Sequence, residues 1–339
     1  MNIFIDDQYK HIYGGEFKNL VENSIIKPLK TIHNVVISKD KDDCKNILSH
    51  SNFDIVICTG YSAEILTWIS DTKNTKLISI VYEMNAEKFY TILNSDSYVF
   101  QKISIEKSKI IFLSNAILTF SKMVKDEIDE IYSKFSDITN TNKVYVINSI
   151  LDKTQIEKYE KPLFEKYVVM PLSINGLTDS IIIPPLIDSL DKNIDLKIVC
   201  PILTTPIKNL YENISEKGLK NKIIFITDLN DIEYHSLFKN AIASFFMSEY
   251  DMDIENIVRS FESNCITLLN NNNEFYHEFF KDNISYYNPD ENINEAILAF
   301  NKISKEDKQI IIDIQNKALE TCLNENSNIN DIIKKIMLA

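Results

Sequence analysis

Short apolar runs rich in β-branched residues recur along the whole chain, with stretches long enough for a helix between them. The first half carries NIFI (2–5), NVVIS (34–38), DIVIC (54–58), KLISIVY (76–82), AILTFS (116–121) and KVYVI (143–147). The second half carries YVVM (167–170), LKIVC (196–200), KIIFIT (222–227), IASFFM (242–247), CITLL (265–269) and ISYY (284–287). A strand apolar on both faces must be covered on both faces, and strands alternating with helices pair in parallel through crossovers. The pattern therefore predicts an α/β fold in which one Rossmann-like architecture occurs twice, as two facing domains.

A length of 339 residues agrees, since domains run to roughly 100–200 residues each. The polar stretch ILDKTQIEKYEKPLFEK (150–166) suits a connection between them. The expected division is a first domain over 1–152, a linker over 153–166 and a second domain over 167–315. From Glu291 onward the spacing is helical, in EAILAF, IIIDIQNKALETCL and INDIIKKIML. A C-terminal helix over 316–339 is expected to pack back toward the first domain.

The formal charge of −13 argues against nucleic acid as a partner, because that binding rests on clustered cations releasing counterions. Cys44, Cys58, Cys200, Cys265 and Cys322 are far apart and form no C-x-x-C pair. They read as small buried hydrophobes in a reducing compartment. No charged segment precedes an apolar one at the start, and no run approaches the roughly 18 apolar residues of a membrane span. A soluble cytoplasmic protein is expected. Peripheral contact with the inner membrane face stays open, since FKNLVENSIIKPLKTI sets lysines beside apolar residues, a pattern equally ordinary for a core-facing helix. Asn, Ile and Lys abound and Arg259 is the only arginine, as an AT-rich genome would produce. The tract Asn270–Asn273 reads as that bias rather than as function.

In open parallel sheets ligands lie outside the carboxyl ends of the strands. That rule selects Gly14 and Gly15 after the first strand, Tyr82 to Asn85 after KLISIV, and the acidic stretch SEYDMDIE (248–255) after IASFFM. No G-x-G-x-x-G follows a strand and no G-x-x-x-x-G-K-[ST] occurs, so a dinucleotide enzyme or P-loop NTPase is disfavoured. The five histidines show no metal-ligand spacing. Asp251-Met252-Asp253 spells a D-x-D that can hold a divalent ion on a diphosphate, a cheap spelling in an Asp-rich chain. Acids at a helix start are also ordinary caps, and Asp251 and Asp253 both qualify. For Arg259 the plain alternative is a surface ion pair with Glu255 or Glu262, and for Tyr82 an aromatic at a strand end.

The order of features in the second half resembles the GT-B fold, specifically the retaining glycosyltransferases of family 4. The signature S-x-Y-E-G-F-G-L-P-x-x-E-A-M-A-x-G-x-P-V-I is similar, without a gap, to S-E-Y-D-M-D-I-E-N-I-V-R-S-F-E-S-N-C-I-T-L from Ser248. Asp251 falls at the first glutamate and Arg259 at the second. MPLSING (170–176) lacks the arginine and lysine of the family's diphosphate loop, and Tyr82-Glu83 replaces a His-Gly. IYGGEFKNLVEN resembles the family's glycine loop, where amides at a helix start approach the ligand.

The resemblance implies transfer of a sugar from a nucleoside-diphosphate donor to a glycan, lipid-linked or protein acceptor. The donor is a co-substrate, and neither a cofactor nor a metal is implied. Asp251 and Tyr82 are the candidate catalytic residues, and Gly14, Gly15, Arg259, Glu255 and Glu249 the candidate donor contacts. Loss of the carboxylate pair, the basic pair and the histidine is what a catalytically inactive pseudo-glycosyltransferase predicts. Such a protein would serve as a binding or scaffolding subunit beside an active homologue.

Overall fold

The structure, a computed structural model, describes residues 1–10, 14–60, 64–69, 74–84, 98–133, 144–150, 164, 166–171, 197–201, 223–226, 229–248, 253–280, 284–288, 305–323 and 327–338. The chain divides into two units, Met1–Leu151 with Glu325–Ala339, and Asp152–Asn324. The EAILAF segment lies outside the described residues.

The first unit is built on a six-stranded sheet of β1 (Asn2–Ile5), β2 (Asn34–Ile37), β3 (Ile55–Cys58), β4 (Lys76–Ile80), β5 (Ala116–Thr119) and β6 (Val144–Val146). The order is β2-β1-β3-β4-β5-β6, and every pairing is parallel. Ile3 stands opposite Val35 on one side and Ile55 on the other. All four residues of β3 and of β5 are buried, as apolar strands covered on both faces must be. At the edge, β2 is only partly covered. Under β1 and β3, Phe4 packs on Phe53 with ring centroids 5.3 Å apart, in a cluster that includes Cys44, Leu48 and Cys58, with Trp68 packed against it.

The C-terminal helix Ile329–Leu338 belongs to this unit. Ile329, Ile332, Ile333 and Ile336 are buried, at the i, i+3, i+4, i+7 spacing of one helix face. The residue before that helix meets β6: Asn328 donates from Nδ2 to the Val146 carbonyl at 3.1 Å and accepts the Asn148 N–H at 3.1 Å. Backbone groups of an edge strand are thereby occupied, which removes a template for unwanted pairing.

The second unit repeats the plan with β7 (Tyr167–Val169), β8 (Lys197–Pro201), β9 (Ile223–Ile226), β10 (Ser244–Phe246), β11 (Thr267–Asn270) and β12 (Ser285–Tyr287), in the order β12-β11-β10-β7-β8-β9, again parallel. The helix Asp231–Asn240 starts in a capping box: Asn230 accepts the Glu233 N–H at 3.0 Å and Glu233 accepts the Asn230 N–H at 2.8 Å. The long helix Lys305–Leu323 lays Gln315 on β11, where its amide accepts the Thr267 N–H at 2.9 Å and donates to the Cys265 carbonyl at 2.8 Å.

Both sheets reverse their strand order once, between β1 and β3 in the first unit and between β7 and β10 in the second. Those points are where an open α/β sheet leaves a crevice at its carboxyl edge. All five cysteines are buried thiols. No helix among the described residues is long and apolar enough to cross a membrane.

Candidate functional site

In the second unit the acidic stretch leaves β10 at the strand reversal. Met247 and Ser248 carry the chain off the strand, and two buried asparagines hold their carbonyls. Asn270 donates from Nδ2 to Met247 O at 2.7 Å, and Asn273 donates to Ser248 O at 2.9 Å. Each also uses its acceptor. Asn270 Oδ1 takes the Asn272 N–H at 2.8 Å, and Asn273 Oδ1 caps the helix Glu274–Phe280 through the N–H groups of Phe275 and Tyr276 at 3.0 and 3.3 Å. The asparagine tract, read from the sequence as compositional bias, is thus a structural clamp at its first and last positions. The tract begins on the last residue of β11, beside the strand that delivers the acids.

Glu249 and Asp251 lie outside the described residues. The chain re-enters at Asp253, which precedes the helix Ile254–Glu262 in a left-handed conformation at φ 35, ψ 32. Its carboxylate caps no backbone N–H but accepts Asn256 Nδ2 at 2.8 Å. At the other end of that helix Asn264 also has positive φ, at 53. It occupies the glycine position of the signature from Ser248, and asparagine is the side chain that tolerates this region best after glycine.

Arg259 resolves toward the i−4 partner. Its Nη2 lies 2.6 Å from Glu255 Oε1, its Nη1 donates to Asn256 Oδ1 at 3.4 Å, and the guanidinium sits 5.0 Å from the centroid of the Tyr234 ring. Its side chain is 17% exposed. The Tyr234 hydroxyl is pushed up to about 12 by burial and by the charges of Asp253 and Glu255, against the opposing pull of Arg259. On the same helix His235 is buried, 3.1 Å from Ser263 Oγ and 3.9 Å from Glu262 Oε2. No group of three side chains suited to a metal ion occurs among the described residues.

In the first unit the strand reversal is bridged by Asp6, just past β1. Its Oδ1 accepts the N–H and the hydroxyl of Thr59, just past β3, and the N–H of Gln8 at 3.3 Å. Burial pushes its carboxyl up from 3.8 to about 6, the Thr59 and Gln8 donors hold it down, and Asp7 adds a smaller upward push. Past β4, the fully buried Lys107 donates from Nζ to Glu83 O at 2.9 Å and lies 3.4 Å from Glu83 Oε1. Tyr82 is 7% exposed, and its ring packs on Phe17 with centroids 5.0 Å apart. Gly14 and Gly15 open the helix Gly14–Val21. Sequence reasoning passed over Asp6, Lys107, Asn270 and Asn273. Of these, Asp6 had a sequence signal, as a charge directly after the apolar run Ile3–Ile5.

No family model matches the chain, and no curated protein matches it in sequence. Among solved structures, TarM from S. aureus is 13% identical with a TM-score of 0.62 over 88% of this chain and 58% of its own. This chain therefore spans 58% of the length of TarM. HepE from Anabaena, crystallised with UDP and glucose, is 12% identical over 99% of this chain and 100% of its own, with a TM-score of 0.60. WaaG, a glycosyltransferase involved in lipopolysaccharide biosynthesis, is 8% identical over 99% and 98%, with a TM-score of 0.61. Together with the two parallel sheets and the C-terminal helix, the likeness shows a GT-B fold.

Proposed function

We propose that this chain binds a nucleoside-diphosphate sugar at the carboxyl edge of its second sheet and transfers the sugar to a hydroxyl of a glycan, lipid-linked or protein acceptor. In that reaction the bond from the anomeric carbon to the diphosphate oxygen breaks. A bond to the acceptor oxygen forms, the acceptor proton is released, and the diphosphate departs. The observation that carries the reading is the exit of β10, where an acid-rich segment leaves the strand reversal and enters a helix in the register of the donor signature, with Asn264 at φ 53 in its glycine place. HepE, similar in fold, was crystallised with UDP and glucose and with UDP-glucose, which makes uridine diphosphate sugars the first donors to test.

In this reading Glu249, Asp251 and Glu255 supply acceptors for donor hydroxyls, and Arg259 supplies positive charge at the same edge. In the first unit, Gly14 and Gly15 open a helix, and their amides are the candidate anion contacts of that unit. Tyr82 offers a hydroxyl at the β4 exit of the first unit. The reading invokes neither a cofactor nor a metal.

A second reading rests on Arg259, which stands where the signature has a carboxylate and is already engaged by Glu255, Asn256 and Tyr234. That substitution favours a subunit that keeps donor binding, or the bare fold, without turnover. The deciding experiment is calorimetric titration with UDP-glucose, UDP-N-acetylglucosamine and free UDP, with and without Mg²⁺, followed by release of UDP from any donor that binds. Binding with turnover supports the transferase. Binding without turnover on any acceptor transfers the case to the second reading, and no binding by any nucleoside diphosphate or its sugar overturns the donor site itself.

A further inference from the structure

The geometry points to Asn270 and Asn273 as positioning residues that aim the exit of β10 and thereby set donor affinity, an inference that rests on the donor site proposed above. Three features carry it. The two side chains are 2% and 0% exposed, so neither is present for solubility. Their amide donors reach the consecutive carbonyls of Met247 and Ser248, at 2.7 and 2.9 Å, over 23 and 25 residues of sequence. Their acceptors are committed elsewhere, to the N–H of Asn272 and to the cap of the helix Glu274–Phe280.

This division of labour is physically specific. An asparagine amide presents a donor and an acceptor in one plane, and both ends are used here. Any of several side chains would cap the helix, since aspartate and serine do so as well as asparagine. Only the amide also holds a carbonyl of the neighbouring strand exit. Met247 and Ser248 are half-buried, and losing the clamp removes one hydrogen bond from each carbonyl, which loosens the exit of β10. A displacement of the contact groups by as little as ~1 Å is enough to weaken an oriented binding site. Where the described chain resumes, Asn256 donates to the carboxylate of Asp253 at 2.8 Å.

The test separates capping from clamping. Asn273→Asp keeps a cap acceptor and has no donor for Ser248 O, Asn273→Ser keeps a cap acceptor but its shorter hydroxyl falls short of that carbonyl, and Asn270→Asp keeps the acceptor for Asn272 and loses the donor to Met247. Hydrogen exchange should show amides over 245–253 exchanging about tenfold faster in these variants, with the helix Glu274–Phe280 unchanged. Affinity for UDP-glucose, or whichever uridine diphosphate sugar the unaltered chain binds, should fall about tenfold, with KM rising more than kcat falls. Because the serine variant introduces no charge, agreement between it and the aspartate variant excludes a buried-carboxylate artefact. Unchanged exchange over 245–253 overturns the clamp, and faster exchange with unchanged donor affinity overturns its role in binding. Failure of the unaltered chain to bind any donor defeats the donor-site reading before a substitution is made, which keeps the two failures apart.

Discussion

Replacing Asp6 with asparagine should change how stability depends on pH, in a direction fixed by the first unit's strand reversal. Burial raises the Asp6 carboxyl from 3.8 to about 6, so the folded chain holds this proton more tightly than the unfolded one. Between those values the folded state binds more protons, and stability from this group is therefore present at low pH and lost as pH rises through about 6. Integrating between pH 4 and pH 7 gives a loss of about 2 kcal/mol. Asparagine keeps an oxygen for the donors of Thr59 and Gln8 but cannot ionise, so the variant lacks this loss. The stability of Asp6→Asn relative to the unaltered chain should accordingly rise by about 2 kcal/mol from pH 4 to pH 7. Trp68 is the only tryptophan and packs in the same cluster as Phe4 and Cys58. Its fluorescence in urea titrations at several pH values therefore reports the unit that contains Asp6. A difference between variant and parent that does not move with pH, or moves the other way, would refute the reasoning.

Two further substitutions test other parts of the structure. Lys107→Met removes a fully buried ammonium and its ion pair with Glu83, which should cost about 3–5 kcal/mol, with Lys107→Met/Glu83→Gln recovering part of it in urea denaturation. Arg259→Ala removes an i,i+4 ion pair and a contact over the Tyr234 ring, together about 1 kcal/mol, readable by calorimetric melting. If Arg259 serves the donor as well, the same variant loses affinity for UDP-glucose by more than that stability change accounts for.

Much of the fold was legible because each strand is a continuous apolar run between polar breaks. DIVIC and AILTFS could not be amphipathic helices of any useful length, and both are strands. Their ends were less legible, since pairing decides them. KLISIVY reads as a strand to Tyr82, yet β4 stops at Ile80; the Val81 N–H still reaches Leu118 O at 2.8 Å, and Tyr82 packs its ring on Phe17 from the helix Gly14–Val21. The start of the donor-like helix was legible from its acids and signature register, although Asp253 enters it by positive φ rather than as a side-chain cap. The clamp was not legible. Asn270 and Asn273 matter through carbonyls more than 20 residues away, and nothing local in a polar tract separates a buried amide from a solvated one. Lys107 was hidden for the same reason: within IEKSK it looks like one more surface lysine, and only the packing of Tyr98–Leu113 on the β4 exit buries it.

The most direct measurement is titration of the purified chain with UDP-glucose, UDP-N-acetylglucosamine and UDP, followed by hydrogen exchange of the complex with whichever binds best. A donor site at the strand reversal of the second unit predicts saturable binding and slowed exchange over 245–264. At about 100 times its dissociation constant the ligand should stabilise the fold by roughly 2.7 kcal/mol. Absence of binding by these and by the other nucleoside diphosphates and their sugars, or protection confined to other segments, would contradict the placement of a nucleotide-sugar site at the exit of β10.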